Sequence, residues 1–514
     1  MTQHVLFAAC LVLAALVTLL QFLVARDELP GPFFTAGRWD TWCVHHDEKL
    51  VIPDVRAFFL GSRGPSGLRD YLPYPVCAAF GLAGPWLSVL GLRLCGFGNV
   101  GLRLWSLAAL AARQYFFTAL CFALLPPWPA AAVCCLQAVA YNQFVLDHHA
   151  VLENLLTLAL VAIAWAFVVD PASAAAGAFG WGLAMAALVL VKPNFPATAG
   201  LLAACLLWTG PGGLGAVADL ALGLGLGLAV FEAFQAVVLW RLGQLASRYR
   251  NLFDVLWIHS GREHDYLQKF IKPIGWPVIP RFFVLAVDWL ADTRWRNVPA
   301  ASTGPVVFAV LCVAFLTAST AAGPAAAGLF LFVLAQVLLL VPFYYYPKRA
   351  VPMLPLFSLL AALAALTWGR WLGVPGLAAW AVGLAGAGLA LRNLLLLASR
   401  LPGRTRGVAA GSRELERLTA PGTRIRMQCY GYRFLWQARG RIMLSGDDQV
   451  LDNALTEEAA RREDADYLLL SDLDPEGLAR LSGEFRWLGR LTTAAADSDM
   501  PLRFDLFSRR KGHP

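Results

Sequence analysis

Charge is what this chain has little of: 15% of its 514 residues are Asp, Glu, Lys or Arg, against 58% that are hydrophobic. Soluble domains carry about 25% charged and about 45–50% apolar residues, so water is excluded as the main solvent of this protein. Also lacking are a phosphate-cradling glycine loop, a nucleophilic serine elbow and an evident internal repeat. Gly223, Gly225 and Gly227 sit in an apolar run with no strand before them, which suits close helix packing and not a nucleotide fingerprint. Disulfide architecture is missing too. Of ten cysteines, Cys10, Cys77, Cys95, Cys121, Cys134, Cys135, Cys205 and Cys312 lie in or beside apolar segments, where cysteine is a small hydrophobe. Cys43 and Cys429 alone have polar surroundings, and nothing in the sequence sets their distance. The net charge of +8 reads as span flanks and partners for acidic headgroups, not as a nucleic-acid surface.

Long apolar runs are what the chain has instead. A helix needs roughly 20 residues to cross a hydrocarbon core of about 30 Å, and runs of that kind recur near 5–24, 103–125, 130–146, 154–169, 177–191, 195–209, 214–240, 304–322, 325–342, 351–368 and 373–396. The first lacks a basic n-region and is followed by Ala25-Arg26-Asp27-Glu28 in place of a small-x-small site, so it is expected to stay as an uncleaved span. A further segment, 75–94, is interrupted by Pro75, Gly81, Gly84 and Pro85 and is expected to lie along the interface. With that assignment, parity puts the polar stretches 26–74 and 241–303, the linker near Tyr344–Arg349, the loop Asp147–Glu153 and the tail after Ser399 on one side of the membrane.

The tail differs in character. Apolar residues alternate in Arg424-Ile425-Arg426-Met427 and in Leu502-Arg503-Phe504-Asp505-Leu506, Tyr467-Leu468-Leu469-Leu470 reads as a buried strand, and 449–465 and 475–484 read as helices. The expected fold is thus a polytopic α-helical membrane protein of about 11–13 transmembrane helices over 1–400, carrying a small α/β extracytoplasmic domain over 401–514.

Two acidic and histidine-bearing clusters carry the candidate chemistry. The first polar loop reads Arg38-Trp39-Asp40-Thr41-Trp42-Cys43-Val44-His45-His46-Asp47-Glu48-Lys49. Carboxylates there serve as a general base or hold a cation, and a solvated loop also carries acids with no role. The second cluster, Asp147-His148-His149-Ala150-Val151-Leu152-Glu153, falls where one apolar run ends and the next begins, where ionisable groups are costly to keep. If the loops meet, His45, His46, His148 and His149 with the neighbouring acids offer ligands to a divalent cation, although adjacent histidines point in different directions on most backbones. Lys192, before Pro193, ends a span and either snorkels or meets a phosphate. Tyr344-Tyr345-Tyr346-Pro347-Lys348-Arg349 places two cations in an aromatic belt, which is ordinary anchoring and also a suitable phosphate fork.

In their order along the chain these residues resemble the GT-C membrane glycosyltransferases, in particular the protein O-mannosyltransferases and the aminoarabinose transferases of lipid A. The resemblance rests on the first-loop acidic pair, on Leu90-Gly91-Leu92-Arg93 through Leu104-Trp105-Ser106 leading into a span, on Asp147 to Leu156, on Leu190-Val191-Lys192-Pro193 and on Tyr346-Pro347-Lys348-Arg349-Ala350-Val351-Pro352. It covers about residues 1–400. It implies Asp47 as the first-loop catalytic acid with Glu48 beside it, Glu153 or Asp147 as the second-loop carboxylate, and Lys192 with Lys348 and Arg349 as neutralisers of the donor phosphate. The paired histidines and the Lys348-Arg349 order depart from the family pattern. The tryptophan-tryptophan-aspartate signature of the oligosaccharyltransferases is absent from the tail, which argues against transfer of a preassembled glycan to asparagine.

The implied activity is transfer of a hexose or pentose from a polyprenyl-phosphate-linked donor to a lipid, glycan or protein acceptor. No cofactor is required, a divalent cation is compatible, and membrane lipids are the other partners. The implied setting is a bacterial inner membrane with the active site on the periplasmic or extracellular face. The rival reading from another class is a secondary transporter or flippase, which places its ionisable residues near the midplane on broken helices and often in repeated halves.

Overall fold

In the computed structural model the described residues are 2–27, 81–140, 149–241, 323–340, 351–427, 464–471, 475–481, 483–493 and 502–510, with short pieces at 55, 143–144, 147, 245–246, 248–249, 312–314, 316–317, 441–444, 457–458, 460–461 and 473. The chain is an integral membrane protein in which a bundle of apolar helices is followed by a small sheet.

The helices run as α1 (Thr2–Asp27), α2 (Ala83–Cys95), α3 (Asn99–Leu124), α4 (Pro127–Val139), α5 (Glu153–Val169), α6 (Pro171–Ala176), α7 (Ala178–Ala186), α8 (Phe195–Thr209), α9 (Gly213–Arg241), α10 (Pro324–Leu340), α11 (Leu354–Trp371) and α12 (Pro375–Leu418). Five of them are long and apolar enough to cross a membrane: α1, α3, α9, α11 and the first part of α12. At 1.5 Å per residue, the 13-residue α2 is about 20 Å long, short of a crossing, as its glycine and proline breaks suggest. The apolar run expected over 304–322 is described only at 312–314 and 316–317, which are helical.

Small residues set the closest approaches. Gly182 and Gly223 let α7 and α9 meet at backbone contact, since a Cβ on Gly182 would overlap the Leu220 carbonyl oxygen. Gly223 and Gly227 of α9 are therefore packing residues, as their apolar setting suggests. Gly81, at φ +113°, enters α2 in a left-handed conformation, and a Cβ there would overlap the carbonyl oxygen of Leu190. Gly81→Ala is expected to lower the melting temperature measurably, since both the strained dihedral and a backbone clash oppose the methyl, each costing about 1–3 kcal/mol. A thermal-shift comparison checks it.

The run expected as a span over 130–146 is helical to Val139 and breaks at Ala140, and beyond it the described residues Gln143, Phe144 and Asp147 are helical and buried. Buried carbonyls at such a break need donors, and Ser106 and Asn154 supply them to residues 147 and 149.

The helix α12 holds 44 residues, about 66 Å at 1.5 Å per residue, roughly twice a hydrocarbon core. It therefore continues past residue 400, where the sequence changes character, and its end packs on the sheet through Leu415. The sheet has strands β1 (Arg424–Met427), β2 (Ile442–Leu444), β3 (Tyr467–Ser471), β4 (Phe485–Thr493) and β5 (Leu502–Arg509), with helix α13 (Pro475–Leu481) between β3 and β4. The order is β2-β1-β3-β5-β4; β1 is parallel to β2 and β3, while β5 is antiparallel to β3 and β4.

The continuous apolar run in β3 is explained by burial on both faces. Leu469, with Ile425, Met427, Leu491, Phe504 and Leu506, belongs to the core that includes Leu415, whereas Leu468 and Leu470 join Leu481, Phe485 and Phe507 on the other side. Asp505, buried in β5, is compensated by its cross-strand partner Arg490 at 2.8 and 2.9 Å and by the Trp487 indole N–H at 3.1 Å. Arg441, just before β2, donates to the carbonyls of Glu416 and Thr419, both at 2.6 Å, and so caps the end of α12 from the sheet side.

Candidate functional site

Several helix ends converge at one end of the bundle. The C-terminus of α1 meets the start of α3, α5 begins at Glu153, and a 3-10 turn over Ala187–Leu190 leads through Lys192 into α8. The last turns of α9 reach the same corner, where Gln235 donates to the Val189 carbonyl at 3.3 Å. The turn Val351–Met353, two residues beyond Arg349 in sequence, packs against α5.

Glu153 and Lys192 meet here. The ammonium of Lys192 lies 2.8 Å from Oε1 of Glu153, and both residues are at least nine-tenths buried. Lys192 also stands 5.6 Å from the Phe195 ring centroid, within cation–π range. The pair sits near the positive ends of two helices: Glu153 is in the first turn of α5, and Lys192 stands two residues before the N-cap Asn194 of α8. Two helix N-termini and an ammonium make a locally positive corner in which one carboxylate is already present. Such a corner favours a second anion, and a phosphate oxygen that joined Lys192 would loosen its hold on Glu153.

Asp147 is placed differently. Its two carboxylate oxygens accept from Arg113 at 2.7 and 2.5 Å, and Gln143 donates to one of them at 2.6 Å. Arg113 lies about 21 Å along α3 from Asn99 at 1.5 Å per residue, so this is an ion pair deep in the bundle. A carboxylate held bidentately by a guanidinium has both of its oxygens engaged as acceptors. Ser106 donates to the carbonyls of Asp147 at 3.1 Å and His149 at 2.7 Å, and Asn154 donates to Ser106 at 2.6 Å. The loop leading to Glu153 is thus held at more than one point.

His149 is buried, and its Nδ1 lies 2.9 Å from an Nη of Arg103. A guanidinium only donates, so Nδ1 accepts, and its lone pair is taken up by that bond and not offered to a metal. Among the described residues no group of three or more His, Cys, Asp or Glu stands close enough to hold a metal ion. The metal reading therefore gains no donor set there. Of the candidate residues read from the sequence, Asp147, Glu153, Lys192 and His149 are described; His45, His46, Asp47, Glu48, His148, Lys348 and Arg349 lie outside the described residues.

The sequence reading misses Arg103, Arg113, Glu232 and Arg248. Glu232 on α9 is bound by Arg248 through two bonds of 2.7 Å and by Gln235 at 3.1 Å, beside the same corner. A signal for three of the four exists. Arg103, Arg113 and Glu232 are ionisable residues within long apolar runs, where a charge is a site hypothesis by default.

No family model matches the sequence, and no curated protein matches it significantly. Solved structures do match in fold. The chain is similar to ArnT from Cupriavidus metallidurans bound to undecaprenyl phosphate, with a TM-score of 0.59 and 16% identity over 98% of this chain and 99% of that one. The apo state of the same ArnT matches with a TM-score of 0.60 and 14% identity over 96% and 97% of the two chains. At such identity the likeness establishes a shared fold over nearly the whole of both chains.

Proposed function

We propose that the protein is a membrane glycosyltransferase that moves a hexose or pentose from a polyprenyl-phosphate-linked donor to a lipid, glycan or protein acceptor. The observation that carries this reading is the buried Glu153–Lys192 pair near the positive ends of α5 and α8, in a fold whose ArnT counterpart is known with undecaprenyl phosphate bound.

The chemistry needs few parts. An acceptor hydroxyl attacks the anomeric carbon, its proton passes to a carboxylate, the anomeric C–O bond breaks, and its electron pair stays on the departing polyprenyl phosphate. Lys192 neutralises that phosphate, with Lys348 and Arg349, just upstream of the turn that packs on α5, as its proposed companions. Asp47, with Glu48 beside it, remains the proposed base of the first loop on the sequence resemblance, and Glu153, the second-loop carboxylate, is proposed as a second acid–base group once a donor phosphate takes over Lys192. Asp147 holds Arg113 and shapes the loop. The proposed setting is a bacterial inner membrane with this corner on the extracytoplasmic face, together with the domain over 401–514.

Mass spectrometry of lipids extracted from the purified protein tests the donor class. A polyprenyl phosphate is expected to co-purify, and adding it to delipidated protein should raise the melting temperature, because a ligand at 100 times its Kd stabilises by about 2.7 kcal/mol. Absence of the lipid together with an unchanged melting temperature would overturn the donor assignment.

A further inference from the structure

Arg103 is fully buried in the second turn of α3, and the transfer chemistry does not use it. One arm of its guanidinium, Nη1, donates to the carbonyl of Ala25 at 3.1 Å, and the other, Nη2, to Nδ1 of His149 at 2.9 Å. Asn99, four residues earlier on α3, donates to the carbonyl of Arg26 at 3.1 Å. The last carbonyls of a helix have no donor of their own, and the negative end of the macrodipole favours a cation, so the end of α1 is a natural seat for this arginine. The second arm reaches the loop that ends in Glu153. The carbonyl of His149 is itself gripped by Ser106 and Asn154, and Asn154 is the chain neighbour of Glu153.

We infer that Arg103 is a positioning residue: its rigid fork ties the loop Asp147–Leu152, and through it the Glu153 carboxylate, to the end of the first helix, where the first polar loop departs. The inference rests on reading Glu153 and Lys192 as the reacting corner. Its physical basis is planarity. A guanidinium reaches two acceptors at a fixed angle, so the ring of His149 and the carbonyl of Ala25 cannot drift independently. The loop that leads to Glu153 and the end of the first helix are thereby registered by one side chain, at a site where small displacements of reacting groups are costly.

The test compares Arg103→Lys with wild type in the purified full chain, measuring transfer kinetics and amide hydrogen exchange. Lysine keeps the charge and loses the fork. A fall in kcat of about 10²-fold is expected with the donor KM within about twofold, because misplacement acts on the transition state and not on binding of the remote lipid. Peptides covering 20–27 and 147–153 should both exchange faster. His149→Ala, which frees only one arm, should loosen 147–153 and leave 20–27 unchanged, and combining it with Arg103→Lys should add little to the kcat loss. An unchanged kcat, a loss confined to KM, or exchange that rises in only one segment of Arg103→Lys would overturn the inference. Should Arg103→Lys not fold, the exchange pattern of His149→Ala decides, since protection lost across both segments or in neither contradicts the two-armed clamp. A wild-type protein that transfers no lipid-linked sugar would sink the enzymatic reading, while the exchange pattern still decides whether Arg103 links the two segments.

Discussion

Glu153→Gln is expected to lower sugar transfer by about 10²–10⁴-fold, the range typical for loss of a positioned general base, without weakening donor binding. The glutamine keeps the shape of the side chain but cannot take a proton, and it leaves Lys192 with one negative partner fewer in a buried corner. A bound phosphate then meets that ammonium with one competing carboxylate fewer, so the donor Kd should stay equal or fall. Lys192→Met should do the opposite. It removes a charge-assisted contact worth about 1.5–3 kcal/mol, so donor affinity should weaken by about tenfold to a hundredfold or slightly more. Binding isotherms with polyprenyl phosphate, paired with transfer rates, separate the two outcomes. If both substitutions leave transfer and donor affinity unchanged in folded protein, the pair is an internal ion pair only and the glycosyltransfer reading loses its main support.

A comparable loss is expected from either single change in the deeper pair, with a different cure. Arg113→Met or Asp147→Leu alone strands a buried charge, which costs about 3–5 kcal/mol where the partner is removed. Each single variant should therefore express poorly, melt early and transfer little. The double variant Arg113→Met/Asp147→Leu replaces the ion pair by apolar bulk, and buried pairs exchanged in that way are often neutral or even stabilised by about 1–4 kcal/mol. Stability should return in the double variant, and transfer with it, because Ser106 and Asn154 still hold the loop carbonyls. A double variant that regains its melting temperature but stays inactive would show that Asp147 itself takes part in the chemistry, as its place in the sequence suggests.

Part of this site is legible in the sequence alone. Ionisable residues are expensive next to hydrocarbon, so Asp147, Glu153 and Lys192 stand out where apolar runs stop, and two of these three do meet in space. Their division of labour is not legible there. Asp147 and Glu153 are both acids of one short loop, and only the position of Arg113 on a neighbouring helix distinguishes them. Arg103 and Arg113 lie inside a run that reads as a span, where mean hydropathy averages them away. The strand β4 (Phe485–Thr493) escapes the sequence pattern because a register shift between Trp487 and Gly489 breaks its alternation, and Arg490 belongs there because Asp505 lies opposite in β5.

By itself the sequence determined what depends on solvent and on short-range geometry. Membrane residence follows from the free energy of apolar area. The approximate ends of most of the described helices follow from run length, and the tail strands β1, β3 and β5 follow from alternation or from a continuous buried run. Tertiary structure alone decided which charge neutralises which. An ion pair such as Glu153–Lys192, 39 residues apart, or Arg113–Asp147, 34 apart, is a matter of helix packing, and the sequence carries no term for that distance. The same holds for the buried backbone described between Ala140 and Leu152. Its burial is tolerated because donors on α3 and α5 reach its carbonyls, a condition that exists only once the helices have come together.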